Sequence, residues 1–230
     1  MILLIFSVIF IITTIFFKYH KCYQGVFNAK FRNGTVVIDP GHGGIDGGAH
    51  YKEYLLEKNI NLDVALRLKN FLLKQRTRVI MTRDKDVSLE DKSTINDTRY
   101  KRDLDARKKI INTNNPDVFV SIHVNANSFS SKARGVVIYY YPGSIEGERL
   151  AEEISKAIDC IVYEKYLKYE EIRSKIVAED YYITRETKVP GVIVEMGFIT
   201  NPCDRKLFQN NTYKQKIAEA IGWGIMNYLK

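Results

Sequence analysis

The chain has 230 residues, 45% of them apolar and 27% charged, with 35 Lys and Arg against 27 Asp and Glu and a formal charge of +8. That balance excludes a disordered chain and leaves room for one domain with a substantial core. The basic residues are scattered along the chain, which argues against a nucleic-acid partner. Three separated cysteines, Cys22, Cys160 and Cys203, form no CxxC pair and argue against both a thiolate metal site and a disulfide-built fold.

Residues 2–17, ILLIFSVIFIITTIFF, carry no charge. As a helix they would span roughly 24 Å, slightly short of a bilayer's hydrocarbon core. Residues 1–21 therefore read as a signal-anchor that inserts in a membrane, or as a cleaved signal peptide, with 22–34 as a linker. No small-x-small cleavage site comes after Phe17. Lys18 and Lys21 come after the apolar run, so the flanking charges do not favour export of the C-terminal remainder of the chain.

Beyond the linker, strand-like and helix-like runs alternate. Thr35–Asp39 (TVVID) reads as a strand ending in a glycine-rich loop. Residues 55–75 read as a helix, with Leu56, Ile60, Val64 and Leu68 at four-residue spacing. Arg78–Thr82 is a second strand, and the polar stretch 84–101 a loop with room for a short helix. A helix over 104–113 stops at Asn114-Asn115-Pro116. Val118–His123 and Gly135–Tyr141 are strands; 146–163 is a helix whose charged continuation reaches about Ser174. Tyr139, Tyr140 and Tyr141 read as packing residues. Tyr181–Thr184 reads as a brief strand, Val192–Met196 as the last buried strand, and 213–229 as a closing helix. This order predicts an α/β fold, a single domain over 35–230 on a mainly parallel sheet.

Three polar residues share one kind of position. His42 comes just after the first strand, His123 ends VFVSIH, and Glu195 lies near the end of VIVEM. In open α/β sheets the carboxyl ends of strands form the binding rim. Two imidazoles and one carboxylate make a catalytic zinc site that leaves a position for water. With only four histidines in the chain, His42 and His123 are the imidazole candidates. Glu57 or Glu53, four residues apart in the same helical stretch, supplies the carboxylate. Glu195, between Val194 and Met196, is placed for desolvation, which suits proton transfer; a strand-end salt bridge is the alternative. Arg107 and Asn125 are further polar candidates near the rim, for support or for substrate. The GHGGIDGG loop lacks the Lys and Ser/Thr of a P-loop.

Taken together, VVIDPGHGGIDGGA, the Glu of LLEKNINL, FVSIHVNAN and VPGVIVEMGFITNP resemble the zinc-dependent N-acetylmuramoyl-L-alanine amidases, over about residues 35–230 and in the family's order. The resemblance implies a twisted, mixed six-stranded sheet wrapped by helices and one Zn2+ held by His42, Glu57 and His123, thereby selecting Glu57 over Glu53. It implies Glu195 as the catalytic glutamate and matches Arg107 and Asn125 to family positions. The reaction implied is hydrolysis of the amide joining N-acetylmuramic acid to L-alanine in peptidoglycan. The apolar N-terminus directly before the catalytic domain, and residues 84–101, are similar to the spore-cortex, germination-specific branch. That implies an extracytoplasmic enzyme, secreted or anchored, in the space between the forespore membranes; a zinc held loosely would need an accessory protein to order the site. Two other functions remain open from sequence: a silent peptidoglycan-binding protein, and a zinc peptidase acting on the stem peptide.

Overall fold

The computed structural model describes residues 34–169 and 171–230. The expected signal segment and all but the last residue of the linker lie outside them. Among the described residues, no helix is long and apolar enough to cross a membrane. The elements in order are β1 (Thr35–Pro40), β2 (His50–Tyr51), β3 (Leu55–Leu56), α1 (Glu57–Lys74), β4 (Arg78–Met81), a 3-10 turn at Glu90–Lys92, α2 (Arg99–Asn114), β5 (Val118–Asn125), β6 (Val137–Tyr140) and α3 (Ile145–Ile158). Next come a π-helical stretch (Asp159–Leu167), β7 (Lys175–Ala178), α4 (Tyr182–Glu186), β8 (Gly191–Phe198), α5 (Pro202–Phe208) and α6 (Asn211–Tyr228).

Six strands form one sheet in the order β4-β1-β5-β8-β6-β7, and β2 and β3 make a separate small hairpin. β1 runs parallel to β4 and β5, and β5 parallel to β8; β6 is antiparallel to β8 and parallel to β7. The single α/β domain with a mainly parallel, mixed sheet is therefore as expected. Its central strands are β-branched runs buried on both faces, as a helix-covered parallel sheet requires.

Alternation along these strands divides the core. Val36, Ile38, Val118, Val120, Ile122, Val192 and Val194 join the larger apolar cluster with α1, α3 and α6. Ile60, Val64, Leu68 and Leu72 of α1 carry its four-residue stripe into that cluster. Val37, Phe119 and Ile193 point the other way, into a smaller cluster with Ile111 of α2 and Ile183 of α4. Asp39 and Ser121, two residues further along β1 and β5, continue that second face and hydrogen-bond each other at 2.7 Å. His123 and Glu195 come next and are register partners across β5 and β8.

Some expectations are corrected. Tyr181–Thr184 is not a strand: Tyr181 precedes the short helix α4, whose Ile183 is buried under the sheet. The strand of that region is β7, over Lys175–Ala178, an edge whose exposed-flanked pattern gives little period-two signal. The 146–163 helix continues past Tyr163 in π-form and ends at Lys168, in the left-handed region at φ 55°. It does not reach Ser174. α2 starts at Arg99 rather than 104, capped by the Thr98 hydroxyl, which accepts from the Lys101 N–H. Glu53 is not on α1; it lies exposed in the turn between β2 and β3.

Candidate metal centre

The loop after β1 turns sharply enough to put His42 over the sheet's edge. His42 itself has φ 60°, a conformation rare outside glycine. Gly41 before it must stay bare: a Cβ there would lie 2.1 Å from Cε1 of His123. The loop closes on itself through a pair of backbone hydrogen bonds between Gly43 and Asp46. The Asp46 carboxylate then accepts from His42 Nδ1 at 2.7 Å and from the Gly48 N–H at 3.1 Å. Fixing one ring nitrogen in this way turns the other, Nε2, inward.

Glu57, the first residue of α1, is buried. Its Oε1 lies 3.2 Å from His42 Nε2 and 3.0 Å from His123 Nδ1. The same oxygen accepts from the Val124 N–H at 3.1 Å, and Oε2 accepts from the Ala49 N–H at 2.7 Å. His42, Glu57 and His123 offer donor atoms that all lie within 4.8 Å of one another. They are brought together from the β1 loop, the α1 start and β5, at one rim. The two imidazole rings meet edge to face, 5.1 Å between centroids.

The electrostatics reflect this convergence. Burial works against ionising Glu57, but hydrogen bonds from His123 and His42 overcome it and hold the carboxyl well below its usual range. Burial likewise disfavours a charged His42, yet the Glu57 and Asp46 carboxylates raise it to about 9. Two imidazole nitrogens aimed at one ionised carboxylate oxygen form a donor set suited to a divalent cation.

Glu195 stands across the strand pair from His123, partly exposed, with its Oε2 buried and without a hydrogen-bond partner among the described residues. Burial pushes its carboxyl up to about 7, the charges of His123 and His42 pulling down and that of Glu57 pushing up. No salt bridge involves Glu195 among the described residues, so the strand-end ion pair is not what occupies it.

Arg107, 3% exposed, reaches from α2 to the loop's base. It pairs with Asp39 at 2.7 Å and Asp103 at 2.5 Å, and donates to the carbonyls of Pro40 at 2.8 Å and His42 at 2.7 Å. These contacts make it a support of the His42 loop. Asn125 ends β5, half-buried; its carbonyl accepts from the Ile199 N–H at 2.8 Å. The Asn125 side chain hydrogen-bonds to nothing among the described residues. Within the tyrosine run, Tyr139 stacks edge-on against Tyr181 at 5.1 Å, and Tyr140 packs on the larger core.

Sequence reasoning missed Asp39, Asp46, Asn61 and Arg83, which hold the loop and the candidate ligands. Of these only Asp46 carried a signal, four residues after His42 within the glycine-rich loop. An open cavity of about 470 Å³ borders the cluster, lined by His42, Asp46, Glu90, Arg99 and Tyr100 among others.

The chain is similar in sequence and in fold to known proteins. The family model described as N-acetylmuramoyl-L-alanine amidase (amidase type 3) matches residues 36–227. A germination-specific N-acetylmuramoyl-L-alanine amidase of Bacillus subtilis is 36% identical over 194 residues, 84% of this chain and 78% of that protein. A probable cell wall amidase, LytH, of Staphylococcus epidermidis is 32% identical over 89% of this chain and 62% of its own length. Among solved structures, the CwlD amidase of Clostridioides difficile, in complex with the GerS lipoprotein, superposes with a TM-score of 0.76 at 36% identity, covering 86% of this chain and 98% of that one. Ami1 of Mycobacterium smegmatis, at 21% identity and a TM-score of 0.69, shares the fold. With a matching family model across nearly all the described residues and relatives above 30% identity, the chain belongs to the N-acetylmuramoyl-L-alanine amidase family.

Proposed function

We propose that this amidase cleaves the bond between the lactyl carbonyl of N-acetylmuramic acid and L-alanine with one Zn2+ held by His42, Glu57 and His123. The observation that carries this reading is the convergence of two imidazole nitrogens on one Glu57 oxygen, at 3.0 and 3.2 Å. When bound, zinc supplies Lewis acidity to the scissile carbonyl and acidity to the attacking water.

The chain's own groups do the rest. Glu195, with one oxygen buried and without a hydrogen-bond partner among the described residues, takes a proton from the attacking water and returns it to the leaving amine of L-alanine. A carboxyl lifted to about 7 can both accept and give back a proton near neutral pH. Asp46 orients the His42 ring, and Arg107 holds the loop that presents it. Asn125 lies at the rim beyond His123 as a candidate substrate contact.

The relatives support a cell-wall substrate, hence action outside the cytoplasm, and the germination-specific relative supports a role in the spore cortex. Residues 1–21 would then carry the enzyme to that space, as an anchor or a removed signal. The CwlD structure, in complex with the GerS lipoprotein, supports an accessory protein for this chain too; ordering the zinc site is the role such a partner would have.

Digestion of purified peptidoglycan, with and without added zinc, and then weighing of the products by mass spectrometry, tests the reading. Free stem peptides beginning with intact L-alanine, abolished by a chelator and restored by zinc, are expected. Fragments cut within the stem peptide would instead establish a peptidase, and no release at any zinc concentration a silent binding protein.

A further inference from the structure

Arg83 lies just beyond β4 and is 3% exposed, yet among the described residues it makes no ion pair; its hydrogen bonds there go to backbone carbonyls. Its Nε donates to the Pro40 carbonyl at 2.9 Å and its Nη1 to that of Lys85 at 3.1 Å. Nη2 is shared between the Gly41 carbonyl at 2.9 Å and the Lys58 carbonyl at 3.0 Å. Gly41 immediately precedes His42, and Lys58 comes immediately after Glu57. One guanidinium nitrogen therefore joins the peptide beside one metal-ligand candidate to the peptide beside another.

Neighbouring contacts point the same way. Asn61, fully buried on α1, donates to the Gly41 carbonyl and to Glu57 Oε1, both at 3.3 Å. Lys58 Nζ donates to the Gly44 carbonyl at 2.7 Å. Without such ties the loop would be free to leave the conformation in which His42 has φ 60°, since a non-glycine residue there lies in a sparsely populated region. A planar fork with five fixed donors can satisfy several carbonyls at once; an ammonium on a flexible stem cannot reproduce that geometry.

We propose that Arg83 is a positioning residue for the metal site: it locks the His42 loop to the first turn of α1 and thereby sets the site's zinc affinity. The inference rests on the assignment of His42, Glu57 and His123 as zinc ligands. It assigns Arg83 no contact with substrate. Its contribution is preorganisation, because a ligand set held in place loses less freedom when the metal arrives.

The test is the zinc dissociation constant, measured by competition with a chelator on the full chain. Arg83→Lys keeps the charge and loses the fork, Arg83→Gln loses both, and Val162→Ala is a core comparator remote from the loop, in the π-helical stretch. Both Arg83 variants should bind zinc about 10- to 100-fold more weakly, with Val162→Ala binding as the unaltered protein does even where its melting temperature falls as far. Unchanged affinity in Arg83→Lys and in whatever Arg83→Gln folds would overturn the proposal. So would equal weakening in Val162→Ala, since the effect would then be general loss of stability. Failure of the unaltered protein to bind zinc at all would instead strike the ligand assignment on which the proposal stands.

Discussion

At the residue scale, neighbours change the chemistry of a few side chains. Glu195 is an ordinary carboxylate in sequence, but burial on β8, with one oxygen lacking a hydrogen-bond partner among the described residues, lifts its carboxyl to about 7 against the pull of His123 opposite. The base proposed here acts in its ionised form, so a raised carboxyl would be inactive below that value and active above it. Turnover should therefore fall as pH drops through about 7, by up to about tenfold per unit. Glu195→Gln should lower kcat by about 10²- to 10⁴-fold and remove that limb from the pH profile, while zinc content stays unchanged. A Gln variant retaining both rate and pH limb would remove Glu195 from the mechanism. The two histidines were legible in the sequence because histidine is scarce and each stands at or just beyond the end of an apolar, strand-like run. Glu57 was not separable from Glu53 by helical spacing, and the reason is structural: Glu53 sits in the β2–β3 turn while α1 begins at Glu57 itself. Arg83 and Asn61 were illegible because their partners are largely backbone carbonyls, which every residue possesses.

At the element scale, the central strands and the β4 edge were readable, and the β7 edge was not. β1, β5 and β8 are β-branched runs buried on both faces, and their signal survives without tertiary context. β7 and α4 are short and half-exposed, so tertiary packing decided their conformation over local propensity. The approach of β8 to β5 is also set by a detail no period shows. A Cβ on Gly191 would lie 1.8 Å from Cε1 of Phe119 on the neighbouring strand, so the aromatic ring fills the space a side chain would need. Gly191→Ala should destabilise the fold by about 1–3 kcal/mol through overpacking, seen as a lower denaturant midpoint with an unchanged slope. Trimming the ring as well, in Gly191→Ala with Phe119→Leu, should recover part of that loss. An additive double variant would show that the two positions do not compete for the space.

At the scale of the whole molecule, the sheet order brings together groups far apart in the chain. The loop after β1, the start of α1 and the end of β5 each contribute one donor, and β8 adds Glu195 from beside β5. The α/β class and the strand-end rim were readable from the alternation of elements. The six-stranded mixed sheet came from family resemblance, since strand order and the antiparallel β6 leave no mark in composition or spacing. The buried ion pair of Arg107 with Asp39 ties α2 to this rim from the second face of the sheet. The central claim is that the three converged donors form one zinc site. Elemental analysis of zinc in the purified chain, beside His42→Ala and His123→Ala variants that still fold, tests it most directly. One zinc per chain is predicted in the unaltered protein and a large loss in each variant; a full complement of zinc in both variants would contradict the claim.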